Sequence, residues 1–575
     1  MLPGGPSSNL DELRARVDAL ERRLSALEQS LPALAPYPEP TASPTAVPGA
    51  PGEPLSAQPQ SNVFSVFGIA VLGIAGAYIL RAASETRTIP QAIAVALALA
   101  YGAGWLVWAA WSRAISRFAR YAYAVTSALI LSPLLWEATV RFGILAPPWT
   151  AAILAAFALL AFVLAWRSHL APILWIAMLT VIVTAFLLMV AARDPVSFTS
   201  AILFAALLTE SAACWNRWGA LRYVVGPAAD VAILIVVAIL GDSRAVPQDY
   251  HPANFALLIA LAVGLFAVYA ASMAFRSLVR QNKVAIFEIS QFPLVVLLAG
   301  WAVLRVTQGT GQFALGIFCL LAGAASYFAA FALVARRTER RTFRFFALWA
   351  VVFVLTGSFL AVPDSPLVIW LCLAAVAASA LGLRARSPAL DLHGVAYLAA
   401  AVVASGLLLY AARALAGTYP PAPGALPIFA ALTAFLCAVI VSRYPGEHRA
   451  ERFLRLMPAV FAVISLAALA VAMLVWLVSH GVPPALPQLA VVRTVVTCVA
   501  AVVLAFVGAR RDRIELVWMA YAAAVLGSLK LAVEDFRIGS TESLAVSLFI
   551  YGVVLILIPR LVRAGRHPAR GTITQ

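Results

Sequence analysis

From Asn62 onward the chain alternates between apolar runs of about twenty residues and polar breaks averaging under about ten. Eighteen apolar segments can be delimited: 62–80, 90–111, 119–139, 148–167, 170–192, 196–214, 222–241, 253–275, 284–305, 313–335, 343–361, 366–383, 393–415, 425–442, 456–479, 486–508, 515–533 and 541–560. A helix needs roughly 20 apolar residues to cross the hydrocarbon of a bilayer. No ten-residue alternating pattern of a barrel occurs, and closed helices are the other way to satisfy the backbone in lipid. The pattern predicts an all-α polytopic transmembrane bundle of about eighteen spans over residues 62–563, followed by a basic tail, 564–575.

A different period precedes it. Leu10, Leu13, Val17, Leu20, Leu24, Leu27 and Leu31 recur at alternating spacings of three and four, the seam of a short coiled coil. Asp11 and Glu12 in the first turn suit the helix dipole, and Pro32 stops the helix. In a parallel pair Arg16 and Arg23 face Glu21 and Glu28 of the other copy, so residues 1–31 are expected to join copies into a homo-oligomer. A lone amphipathic surface helix is the alternative, but its charges are too mixed for a lipid binder. Residues 32–61 hold nine prolines and read as an extended spacer.

Composition agrees with the pattern. Of 575 residues 63% are hydrophobic and 11% charged, against roughly 45–50% and about 25% in soluble domains. This excludes a soluble enzyme, a secreted disulfide scaffold and a disordered tail. The formal charge of +16 does not indicate nucleic acid, because the basic residues flank apolar runs in ones to fives. With the N-terminus cytoplasmic, the inner loops and the C-tail carry 27 basic residues and the outer loops nine. That bias is the positive-inside rule, and it places both termini in the cytoplasm.

The chemistry is sparse. No Walker A, HExxH or GxSxG motif appears, and the five cysteines stand alone in apolar runs, so no metal or cofactor is expected. The six histidines read as solvated groups at helix ends. What remains are ionisable residues at membrane depth, which are costly there. Glu210 and Asp230, just after Pro227, lie on consecutive antiparallel spans. Glu288 begins a polar patch with Gln291 and Pro293. Lys530 precedes Glu534 and Asp535. These residues are candidates for a polar intramembrane site; the competing reading pairs Glu210 or Asp230 with Arg217 or Arg222, and Lys530 with Glu534.

The opening span GIAVLGIAGAYILRAA and the closing stretch ELVWMAYAAAVLGSLKLAVEDFRIGSTESLAVSLFIYGVVLILIPRLVR, with Lys530 and Asp535, resemble an uncharacterised bacterial family of predicted membrane proteins catalogued as a domain of unknown function (DUF2339-like). The heptad helix and Pro-rich linker ahead of many closely spaced spans are similar too. The resemblance implies the bacterial inner membrane and carries no activity with it. We therefore expect a non-enzymatic integral membrane scaffold or envelope factor, surrounded by lipid and self-associating through residues 10–31. The alternatives are a secondary transporter with a polar intramembrane site, acting on an unidentified solute, and a membrane-embedded transferase on lipid-linked substrates.

Overall fold

The computed structural model describes residues 63–85, 90–111, 116–250, 252–335, 340–417, 422–443, 449–479, 485–538 and 541–565, together with Ala19 and Arg22, which are helical. All seven seam residues from Leu10 to Leu31, the 32–61 spacer and the tail from 566 lie outside the described residues.

Among the described residues there are helices and no strands. In chain order we label them α1 (Val63–Glu85), α2 (Gln91–Trp111), α3 (Arg117–Trp136), α4 (Pro147–Ser168), α5 (Ala171–Ala191), α6 (Pro195–Cys214), α7 (Arg222–Leu240), α8 (Phe255–Ala274), α9 (Ile286–Val306) and α10 (Gln312–Tyr327). There follow α11 (Arg340–Ala361), α12 (Asp364–Ala385), α13 (Pro388–Ala404), α14 (Leu407–Ala416), α15 (Ala425–Ser442), α16 (Arg449–Ser479), α17 (Leu486–Arg510), α18 (Ile514–Lys530) and α19 (Thr541–Gly565). By length and composition sixteen helices can cross a membrane, or seventeen if a bent pair counts as one span. This differs from the expected eighteen at two places. The first segment lies in α1, whose described apolar stretch is the shorter Gly68–Ile79. The segment 393–415 is broken into α13 and α14, bent by 66°. The break falls at Ser405-Gly406, where Gly406 takes φ +71°, a conformation that costs glycine little.

Local chemistry explains the short connections. Asp194 caps α6 through Ser197 N–H at 3.1 Å, and Asn254 caps α8 through Ala256 N–H at 2.9 Å. Pro147, Pro195 and Pro388 open α4, α6 and α13, where a missing N–H costs nothing. His169 and Arg386 end α4 and α12 in the left-handed conformation, turning the chain directly after the last helical residue.

The interior combines small residues with large ones such as Ile173, Leu174, Met178 and Leu188, while many other large aliphatic groups face outward. On α5, Ala177 and Ala185 are buried while Leu179, Val183, Leu187 and Val190 are exposed. In lipid the helices gain nothing by hiding leucine from their surroundings, so close backbone packing takes over. The α10–α11 contact is the clearest case. A Cβ on Gly357 would lie 2.7 Å from Gly316 O and 2.8 Å from Leu320 N. Gly357→Leu is therefore expected to destabilise the bundle by about 3 kcal/mol. Gly104→Leu, where nothing lies within 4 Å, is expected to have little effect; unfolding in a denaturing-detergent titration compares the two.

Candidate functional site

Two networks of charged side chains occupy the packed interior. The first is centred on Arg222, the first residue of α7. The three-residue turn Gly219–Leu221 delivers the chain straight into α7, so Arg222 points into the bundle with 4% of its surface exposed. Its Nε and Nη2 donate to the two oxygens of Glu210 on α6, each at 2.8 Å. Its Nη1 donates to Glu288 on α9 at 2.8 Å, and its guanidinium lies 4.2 Å from the Phe287 ring centre. Ser272 on α8 donates to Glu210 at 2.5 Å. Arg276, in the π-helical turn Phe275–Val279 after α8, pairs with Glu288. The second Glu288 oxygen accepts Ala285 N–H at 2.8 Å, closing an otherwise open helix end. Two guanidinium and two carboxylate groups thus tie four helices together with no formal charge left over.

Asp230, two turns further along α7, is held differently. Gln291 Nε2 donates to its Oδ2 at 2.6 Å, while its Oδ1 is buried with no hydrogen-bond partner. Arg217, the other basic group considered for Glu210, instead lies over Trp166 and donates to that residue's carbonyl at 3.3 Å.

The second network joins α14, α17, α18 and α19. Lys530 donates to Asp535 at 2.7 Å, to Thr494 Oγ1 at 2.6 Å and to Ala490 O at 2.5 Å. Glu534 lies farther from Lys530, at 3.8 Å, and accepts from Arg493 at 2.7 Å. Glu534 and Asp535 belong to a π-helical continuation of α18, Leu531–Asp535, which replaces the expected loop. Arg493 also donates to Ala414 O at 2.7 Å, Gly417 O at 2.7 Å and Arg413 O at 3.3 Å. These are carbonyls at the end of α14, which the helix itself cannot satisfy. An arginine counted from sequence among the outer charges is therefore the C-terminal cap of a broken helix.

The structure brings Glu210 and Glu288 together through Arg222, sets Asp230 beside Gln291, and joins Lys530 to Asp535 in a separate network. Sequence reasoning missed Arg276, Arg493 and a third pair, Arg455 with Glu515 at 2.8 Å. It also took His393 for a solvated group. His393 is buried, and Tyr327 Oη lies 2.8 Å both from its Nδ1 and from Tyr397 Oη.

Helices long enough to span a bilayer, apolar outer faces and charges neutralised inside define an integral membrane protein of the multi-pass helical class. Residues 60–566 match the family model described as Predicted membrane protein (DUF2339), a family of unknown function. The chain belongs to that family. No curated protein matches it, and no solved structure does.

Proposed function

We propose that the chain is a non-enzymatic scaffold or envelope factor of the bacterial cytoplasmic membrane. One observation carries this reading: most of the charges at depth are consumed by one another. Arg222 is shared between Glu210 and Glu288, Lys530 with Asp535, and Arg493 with Glu534. Such pairs hold helices in fixed relation, since breaking one leaves an uncompensated buried charge. In this reading α1 and the α13–α14 pair each cross once, which with the sixteen other spans makes eighteen. An even number puts both termini on one face, and the arginine bias makes that face cytoplasmic. Residues 10–31 then join copies, or recruit a partner, at the end of the 32–61 spacer. Deleting residues 1–31 and measuring the mass of the detergent-solubilised protein tests this. The expected result is a fall from an oligomer to the single chain; an unchanged mass removes the assembly role.

A second reading, a transporter, is favoured by Asp230, whose Oδ1, like that of Asp391 on α13, is buried without a hydrogen-bond partner. A half-satisfied buried carboxylate is what a proton pathway requires.

A further inference from the structure

A cavity of about 880 Å³ lies between α16, α17 and α18, beside the end of α14. Its long walls are stripes on single helix faces: Leu486, Leu489, Arg493, Thr497 and Ala500 on α17, and Ala523, Leu526, Lys530, Val533 and Arg537 along α18 and its continuation. Fourteen residues of α17 rise about 21 Å, more than the ~15 Å of hydrocarbon in one leaflet. Arg493 and Lys530 stand midway along the two stripes, Glu534 and Arg537 lie beyond Lys530, and the rest of the wall carries no charge. Leu526, Leu529 and Val533 are 62%, 59% and 60% exposed. On a membrane-spanning helix they face lipid, so the groove opens sideways into the bilayer.

The charge along the lining is not balanced. Arg493 is matched by Glu534 and Lys530 by Asp535, whereas Arg537 is exposed and has no ion-pair or hydrogen-bond partner among the described residues. The lining charges thus leave one surplus positive charge at Arg537, and past Arg493 and Lys530 the groove continues as an uncharged wall about 10 Å long to Ala500 and Ala523. We propose that the groove binds a single anionic phospholipid, its phosphate at Arg537 and its acyl chains along Ala523, Leu526 and Ala500. A soluble anion would leave the apolar length empty, and a neutral lipid would leave Arg537 without a counter-charge. This site does not depend on self-association through residues 10–31.

Native mass spectrometry of the full chain, delipidated and titrated with phosphatidylglycerol, tests the proposal. One bound lipid per chain is expected, with occupancy at least about five-fold lower in Arg537→Gln, whose exposed position leaves folding intact. Ala523→Trp fills the groove and is expected to lower occupancy as well. Millimolar inorganic phosphate should not displace the lipid, and diacylglycerol should not bind in its place. Equal occupancy in Arg537→Gln, displacement by phosphate, equal binding of diacylglycerol, or a second protein chain seated at α17–α18 would each overturn it.

Discussion

Arg222→Gln is expected to destabilise the bundle by about 3–5 kcal/mol, the usual cost of removing one partner from a buried ion pair. The substitution leaves Glu210 and Glu288 in the interior without the cation they share, and Arg276, 16% exposed, reaches only Glu288. Arg222→Lys keeps the charge but not the planar fork that meets Glu210 with two parallel bonds, so an intermediate loss is expected. Glu210→Gln/Arg222→Met/Glu288→Gln removes the charges together and should recover most of the stability. Unfolding in a denaturing-detergent titration ranks the four proteins. Equal stability of Arg222→Gln and the parent would show that the network holds nothing.

The second large effect is expected at Arg493. Arg493→Met frees three carbonyls around the end of α14 and strands Glu534. Each unsatisfied buried polar group costs about 1–3 kcal/mol, and a total near 4 kcal/mol is expected. Arg493→Lys can keep Glu534 or the carbonyls but not both, because an ammonium is a single point of charge; about half the loss should remain. Because α14 depends on this cap, cysteine labelling at exposed Leu408 should speed up in both variants. Unchanged labelling would mean that α14 holds its place without Arg493.

The legible part of this fold is what depends on local order. Apolar length placed the helices, and the adjacency of the sixth and seventh segments put Glu210 within reach of Arg222, twelve residues away. The parts that were not legible depend on which non-consecutive helices touch. Glu288 meets Arg222 across 66 residues, and His393 meets Tyr327 across the same interval. The helix faces between them are Ala, Leu and Val on every side, so composition does not say which pairs pack. The broken segment 393–415 was hidden for a related reason: Gly406 lies within an unbroken apolar run, and its stabilising partner Arg493 comes from a distant helix. The π-helical turn Leu531–Asp535 likewise carries no pattern of its own, yet it sets Glu534 towards Arg493 and Asp535 towards Lys530.

Charge inside this bundle is proposed to serve packing and to move nothing across it, and Asp230, with one oxygen on Gln291 and the other unpartnered, puts that proposal at greatest risk. The direct measurement is proton flux into liposomes holding the full chain or Asp230→Asn, followed with an enclosed pH-sensitive dye. Both are expected to remain as tight as protein-free liposomes, and Asp230→Asn to unfold no more easily than the parent, since an amide is cheaper to bury than a half-satisfied carboxylate. A proton leak through the parent that vanishes in Asp230→Asn would contradict it.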